Sequence, residues 1–181
     1  MHWLSYIDAL ICTEQHDVAL KVIIEARTHG IQSEELDVLA QRANDPIQTA
    51  IQALTNLFAE GEHSSTEISA RMFIAKYPQH IFGWRVLGNV MYHRGEFDQA
   101  LDINTQIVEK FPNDAGAYSN LGITWLALKQ YKLAEESLRR SIEINPSYAD
   151  TYWNLEEVYR EQGLLDQSEK AKWWAVMIKA G

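Results

Sequence analysis

The 181-residue sequence has little cysteine, little proline and no long apolar run, and each shortage removes a class of protein. Its single cysteine, Cys12, has no partner for an internal disulfide, which fits a reducing compartment. No apolar run approaches the roughly 20 residues that a membrane-spanning helix needs. The first residues lack the basic start and apolar core of a secretory signal peptide. The sequence therefore predicts a cytoplasmic protein without membrane insertion.

Basic residues are also scarce. The chain has 16 Lys and Arg against 25 Asp and Glu, which gives a formal net charge of −9. General binding to nucleic acid or to anionic membranes requires basic surfaces. We therefore expect no nucleic-acid partner, although a groove can still hold a local basic patch.

Motifs for catalysis or metal binding are missing from the sequence. The six histidines show no ligand spacing with one another or with Cys12. There is no glycine-rich phosphate loop, no His-Glu-x-x-His and no nucleophile elbow. Carboxylate pairs such as Glu34–Glu35 and Glu135–Glu136 are most simply exposed helix faces. We expect no catalytic residue, no metal and no cofactor, and hence no enzyme activity in this chain alone.

What the sequence does contain is a repeat. Pro78, Pro112 and Pro146 follow one another at intervals of 34 residues. Other residues recur in phase with them: Trp84, Leu87 and Gly88, then Tyr118, Leu121 and Gly122, then Tyr152, Leu155 and Glu156, with Ala100, Ala134 and Ser168 in a further column. A fixed period of this length is typical of arrays of helical hairpins. Such arrays present surfaces to other molecules and seldom catalyse reactions.

Apolar residues at three- and four-residue spacing predict two helices in each repeat. The predicted helices are 81–94, 97–111, 115–129, 131–144, 149–162 and 165–180. Gly30, Gly61, Gly95 and Gly163 each follow a predicted helix, where a left-handed residue ends it at low cost. Upstream the phase is looser, and 33–43 is predicted as an additional short helix. About eleven helices are expected in all.

These residues resemble the tetratricopeptide repeat. In 81–114 the similarity lies in Trp84, Leu87, Gly88, Phe97, Ala100 and Pro112, and in 115–148 it lies in Tyr118, Leu121, Gly122, Trp125, Tyr131, Ala134, Leu138 and Pro146. The resemblance implies an all-α fold, a right-handed α-solenoid of antiparallel helical hairpins. It implies one continuous domain with a degenerate hairpin and extra helix at 1–46, a degenerate repeat at 47–80, and repeats at 81–114, 115–148 and 149–181.

Small residues at matching positions predict close helix packing within each hairpin. Gly88 and Gly122 let the first helix approach its partner, while Trp84, Tyr118 and Tyr152 are expected in the interior between hairpins. Glu156 stands in the glycine column, and a carboxylate in a tight helix contact needs a partner. Either the last hairpin is splayed, or Glu156 turns to the edge of the array.

In the tetratricopeptide family, first helices line most of the concave groove. The corresponding residues are Phe82, Arg85, Asn89, Tyr92 and His93, then Ser119, Asn120, Ile123 and Leu126, and finally Asp150, Trp153, Asn154, Glu157 and Arg160. Aromatic rings anchor apolar groups, and amides or arginine bind a peptide backbone or a carboxylate. The resemblance implies a peptide-binding groove here, and an ordinary solvated face is the alternative.

Some members of the family clamp a C-terminal carboxylate with Lys and Asn, then Asn, then Lys and Arg from three first helices. Arg85, Asn89 and Asn120 match the first part of that pattern. Asp150 and Asn154 stand where two cations are expected, and this opposes carboxylate capture.

The last predicted helix carries two adjacent tryptophans, Trp173 and Trp174, with Met177 one turn later. One helix face cannot bury both rings, and exposed apolar surface usually marks an interface. The sequence leaves open a homodimer through this terminal helix, docking of a further domain, exchange with the N-terminal helices, or both rings folding onto the last hairpin.

Two functions follow from the repeat. The first is a non-catalytic scaffold that binds a peptide or protein segment in its groove. The second is a substrate-recruiting module of a larger enzyme, because 78–88 resembles repeats that precede glycosyltransferase or sulfotransferase domains in bacterial multidomain proteins. In that case the groove guides an acceptor protein and the chemistry lies elsewhere.

Overall fold

The computed structural model of the protein describes residues 3–13 and 15–180. Within these residues the regular structure consists of eleven helices joined by short turns, as predicted. Contacts divide the chain into two compact units, Met1–Glu60 and Gly61–Gly181. The boundary between the units lies inside the predicted repeat 47–80.

The first unit contains α1 (Trp3–Cys12), α2 (His16–Thr28), α3 (Glu34–Asn44) and α4 (Pro46–Ala59). Its core is apolar and comes from the first three helices: Ile7, Leu10, Ile11, Ala19, Ile23, Ala26, Leu36, Leu39 and Ala43. The Ser33 hydroxyl accepts a hydrogen bond of 3.1 Å from the Leu36 N–H, which caps the start of α3. The additional short helix predicted at 33–43 is therefore present, displaced by one residue.

The second unit contains α5 (His63–Lys76), α6 (Ile81–His93), α7 (Phe97–Lys110), α8 (Ala115–Ala127), α9 (Tyr131–Ile144), α10 (Ala149–Glu161) and α11 (Leu165–Ala180). Consecutive helices from α6 onward pack as three hairpins, α6 with α7, α8 with α9, and α10 with α11. The helices agree with the predicted ones to within two residues at each end. The predicted all-α fold of helical hairpins is confirmed.

The first helix of each hairpin ends at a residue in the left-handed conformation. Gly95 has φ +75° and Gly163 has φ +73°, whereas the middle hairpin uses Lys129 with φ +58°. The Lys129 N–H donates to the Leu126 carbonyl at 2.8 Å, so the helix end has the same hydrogen-bonded turn as those that use glycine. The prediction that α8 continues through 129 is wrong, because a left-handed residue ends the helix.

Helices of the same hairpin approach closely where the sequence has glycine. A Cβ atom added to Gly122 would lie 2.6 Å from Cγ of Leu138, a contact too short for a real Cβ. A Cβ atom at Gly88 would lie 2.8 Å from Oδ1 of Asn104. Ala134 and Leu138 are both fully buried opposite α8. The packing of α6 on α7 and of α8 on α9 therefore favours glycine at these two positions.

Glu156 neither splays the last hairpin nor turns to its edge. Its carboxylate accepts a hydrogen bond of 3.1 Å from the Ser168 hydroxyl of α11 and one of 3.2 Å from the Arg160 guanidinium. Only 14% of the Glu156 side chain is exposed. Ser168 occupies the column that holds Ala100 and Ala134 in the other hairpins. A glutamate–serine pair thus replaces the glycine–alanine pair, and the partner that the carboxylate needs comes from the facing helix.

The aromatic residues of the repeat are less buried than the sequence suggests. Trp84, Tyr118 and Tyr152 are each only partly buried. The Lys110 ammonium lies 5.3 Å from the centre of the Trp84 ring, and the Arg140 guanidinium lies 6.0 Å from that of Tyr118. The expectation of a fully interior position is wrong. Long basic side chains lie over Trp84 and Tyr118 on the solvent side, and the Tyr152 ring lies 6.4 Å from that of Trp174.

Candidate peptide-binding face

The predicted groove residues all lie on α6, α8 and α10, and these helices are neighbours within the second unit. Two side-chain hydrogen bonds join them. The Asn120 amide donates to Oδ1 of Asn89 at 3.4 Å, and the Asn154 amide donates to the Ser119 hydroxyl oxygen at 2.9 Å. We call the surface that these three helices share the first-helix face.

Arg85 is held by an intramolecular ion pair. Its guanidinium contacts Oδ1 of Asp114, and the same oxygen accepts the Ala117 N–H at 2.7 Å and so caps the start of α8. Burial and then the Asp150 carboxylate raise the pKa of Tyr148. The Arg85 guanidinium lowers this pKa, and the Asp114 carboxylate raises it. Asp114 and Tyr148 were not among the predicted site residues, although the N-cap position of Asp114 before a predicted helix was a usable signal.

Aromatic rings flank the amides of the face. The Tyr92 ring packs edge-on against Phe97 at a centroid distance of 5.4 Å, and Phe82 packs in the same way against Phe73 at 6.0 Å. Burial, followed by the Glu157 carboxylate, raises the pKa of Tyr92. Trp153 is partly buried on α10.

Charged groups on the face belong mainly to α10. The Arg160 guanidinium contacts the carboxylates of both Glu156 and Glu157, at 3.2 Å and 3.5 Å. Asp150 is exposed and forms no ion pair with the residues that the structure describes. The two cations of the face are thus both engaged within the protein.

The remaining predicted residues contribute apolar and ring surface. Ile123 and Leu126 are partly buried, and Leu126 packs against the core between α9, α10 and α11. His93 lies at the end of α6, where its ring stacks on that of His63 at a centroid distance of 6.2 Å. Leu126 and His93 therefore have structural contacts in addition to their position on the face.

The exposed surface of α11 is apolar. Trp173, Trp174 and Met177 are 54%, 51% and 49% exposed, so the hairpin covers neither ring fully, although the Trp174 ring lies 6.4 Å from that of Tyr152 on α10. The two indoles contact each other edge-to-face at 4.9 Å. One repeat earlier, the columns of Trp173 and Met177 hold exposed Arg139 and Glu143. The apolar character of this surface is therefore absent from the matching positions of α9, although α5 also exposes Ile68 and Met72.

Neither a metal centre nor a membrane span is found in the described part of the chain. No group of three or more His, Cys, Asp or Glu side chains within residues 3–13 and 15–180 is placed to hold a metal ion. No helix in the same residues combines the length and the apolar character that crossing a bilayer requires.

The packed helical hairpins, with amide and aromatic side chains on one face, place this fold in the class of α-helical repeat proteins. Residues 115–148 match the model of the family described as "Tetratricopeptide repeat". The fold is similar to that of a thermophilic TPR protein of Thermus thermophilus, with a TM-score of 0.65 and 18% identity over 97% of this chain and 89% of that one. Residues 115–148 are thus a tetratricopeptide repeat, and the chain has the fold of tetratricopeptide-repeat proteins.

Another solved structure, MamA from Desulfovibrio magneticus RS-1, is similar with a TM-score of 0.64 and 16% identity over 99% of this chain and 97% of that one. At this identity the likeness concerns the fold alone. Among curated proteins, serine/threonine-protein phosphatase T of Aspergillus oryzae is 28% identical over 69 residues, and the inactive TPR repeat-containing thioredoxin TTL3 of Arabidopsis thaliana is 27% identical over 84. These alignments cover 38% and 46% of this chain but only 14% and 12% of the relatives.

Proposed function

We propose that the first-helix face binds an extended segment of another protein and that the chain acts as a non-catalytic scaffold. The tetratricopeptide-repeat fold supports a role in protein–protein interaction. The observation that carries the finer proposal is the pair of hydrogen bonds, Asn89 with Asn120 and buried Ser119 with Asn154, which links polar side chains of three first helices.

The amides of this surface keep hydrogen-bonding capacity for a ligand. In these two bonds Asn89 uses its Oδ1, and Asn120 and Asn154 each use their NH₂ group. The NH₂ of Asn89 and the Oδ1 atoms of Asn120 and Asn154 therefore stay available to bind a ligand. An extended peptide offers both N–H and C=O groups along its length, so it matches a surface that both donates and accepts. Tyr92 and Trp153 stand beside the amides as rigid anchors for side chains.

The test is a panning experiment with random peptides, followed by affinity measurement on variants. Loss of the ring in Trp153→Ala should weaken the enriched peptides about 10-fold or more, as expected when a central aromatic anchor is truncated. Arg85→Ala should weaken them as well, since it releases Asp114 and loosens the start of α8.

The matched control is Trp173→Ala, which removes the same ring from α11 and should leave affinity unchanged. Circular dichroism must show that each variant keeps its helices. Enriched peptides that bind Trp153→Ala as tightly as the original protein would remove the first-helix face from consideration.

A second function is favoured by the exposed rings of α11. We infer that two copies associate through Trp173, Trp174 and Met177. The helix has Asp166 in its first turn and Lys179 in its last, so antiparallel pairing sets opposite charges against each other. Sedimentation equilibrium should show a dimer that Trp173→Glu dissociates and Trp153→Ala does not. A single monomeric species at about 100 μM, where even weak dimers are populated, contradicts this.

The alternative role, recruitment of a substrate for an enzyme, keeps the same face and changes only its ligand. In the curated relatives, which carry phosphatase and thioredoxin names, the similar segment is a small part of the protein. If a glycosyltransferase or sulfotransferase acts with this chain, its rate on a protein acceptor should fall in Trp153→Ala while its rate on a short acceptor stays the same. A rate on the protein acceptor that is the same with Trp153→Ala as with the original protein would argue against recruitment.

A further inference from the structure

The two arginines of the first-helix face are paired with carboxylates of the protein itself. Arg85 is neutralised by Asp114, which also caps α8. Arg160 is shared between Glu156 and Glu157. Each cation already contacts an internal carboxylate, so an anionic ligand would compete with that carboxylate or use only the remaining guanidinium donors.

Two carboxylates of the face, by contrast, are unpaired or only weakly paired with cations of the protein. Asp150 forms no ion pair with the described residues, and Glu157 has only a 3.5 Å contact with a guanidinium that Glu156 also uses. The Glu157 side chain is 51% exposed. Arg160 is the one cation of α10 and faces four carboxylates, so an incoming cation finds a negative potential that Arg160 cancels only in part.

Aromatic rings lie beside these carboxylates. Trp153 follows Asp150 by three residues and precedes Glu157 by four, so the three side chains share one face of α10. On α6, the pKa of Tyr92 is raised by burial and then by the Glu157 carboxylate. A carboxylate next to the face of an aromatic ring binds a lysine or arginine side chain through both an ion pair and a cation–π contact.

We propose that the segment bound by the first-helix face is cationic, with lysine or arginine side chains placed against Trp153 and paired with Glu157 and Asp150. This inference rests on the proposed function. The rise of an α-helix separates Asp150 from Glu157 by about 10 Å along α10. Two basic residues three positions apart in a polyproline II chain span about the same distance.

The experiment uses three fluorescent peptides in the background of one panned sequence. They differ only at two positions three residues apart, which hold Lys, Gln or Glu, and both termini are blocked. Fluorescence anisotropy should give the Lys peptide about 10-fold higher affinity than the Gln peptide and the Glu peptide the lowest affinity, in keeping with two partly exposed ion pairs on aromatic surface. The preference should shrink as salt is raised.

Two isosteric variants locate the effect. Glu157→Gln and Asp150→Asn should each reduce the preference for Lys over Gln about 3-fold, because each removes one ion pair. Glu136→Gln is the matched control, since it removes the same charge from an exposed position on α9 and should leave the preference unchanged.

The possible failures are distinguishable. If none of the peptides binds in a manner that depends on Trp153, the proposed function itself fails. If peptides bind through Trp153 but the Lys and Gln forms bind equally, or the Glu form binds best, the cationic ligand is wrong. A preference that persists unchanged in both Glu157→Gln and Asp150→Asn also overturns it.

Discussion

Lys129 offers a direct test of how the repeat ends its first helices. It stands in the column of Gly95 and Gly163, and among the described residues it alone has positive φ without being glycine. Its side chain is exposed and forms no hydrogen bond or ion pair with the described residues. Substitution here therefore changes the backbone preference and the local charge, and little else.

The size of the effect follows from two opposing quantities. A residue with a Cβ atom in the left-handed conformation costs roughly 1–2 kcal/mol, whereas the greater freedom of glycine in the unfolded chain costs about 0.5–1 kcal/mol. Lys129→Gly should therefore be more stable than Lys129→Ala by about 1 kcal/mol. Both variants lose the same positive charge near the end of α8, so their comparison isolates the backbone.

The assay is urea unfolding followed by far-ultraviolet circular dichroism, which compares midpoints at equal slope. Lys170, exposed in the middle of α11, supplies the control. There the order should reverse, with Lys170→Gly about 1 kcal/mol less stable than Lys170→Ala, because glycine weakens a helix interior. If Lys129→Ala equals or exceeds Lys129→Gly in stability, the left-handed helix end at this position is refuted.

Three further results are expected. Gly122→Ala should lower the free energy of unfolding by about 1–2 kcal/mol, because the new methyl group overlaps Leu138, and in a Leu138→Ala background it should instead stabilise, as urea unfolding of the four proteins would show. Ser168→Ala should cost about 1 kcal/mol by leaving Glu156 without its donor across the hairpin, and in a Glu156→Ala background the same substitution should cost much less. The pKa of Tyr159 is raised by burial and then by a glutamate hydrogen bond, so the folded protein holds this proton more tightly than the unfolded chain. Its contribution to stability is complete below pH 10 and declines as the pH rises through the folded-state pKa, so the difference in stability from Tyr159→Phe should shrink between pH 8 and pH 11.

Local patterns in the sequence predicted most of the helices. The bounds of α9 and α11 agree with 131–144 and 165–180, because apolar spacing and helix-ending residues are local signals. Lys129 was missed because lysine carries no turn preference of its own. Only its position, 34 residues after Gly95 and before Gly163, indicated a helix end.

Other features depend on partners far away in the sequence. Glu156 looked incompatible with a tight hairpin until Ser168 supplied a hydrogen bond from α11. Arg85 looked available to a ligand, whereas in the structure Asp114 engages it from the start of the next repeat. No local sequence pattern predicts such pairs, because each pair forms only when packing fixes the rotamers of both side chains.

The sequence by itself determined the number of helices and their hairpin pairing, because the 34-residue period and the apolar spacing are local properties of the chain, whereas its resemblance to the tetratricopeptide repeat implied which helices carry the candidate face. Only the tertiary structure decided the electrostatic character of that face. Packing brings Arg85 to Asp114 and Arg160 to Glu156, while Asp150 is left without an ion pair among the described residues. A ligand encounters the net charge of the face after those internal ion pairs have formed, and this net charge depends on the folded structure.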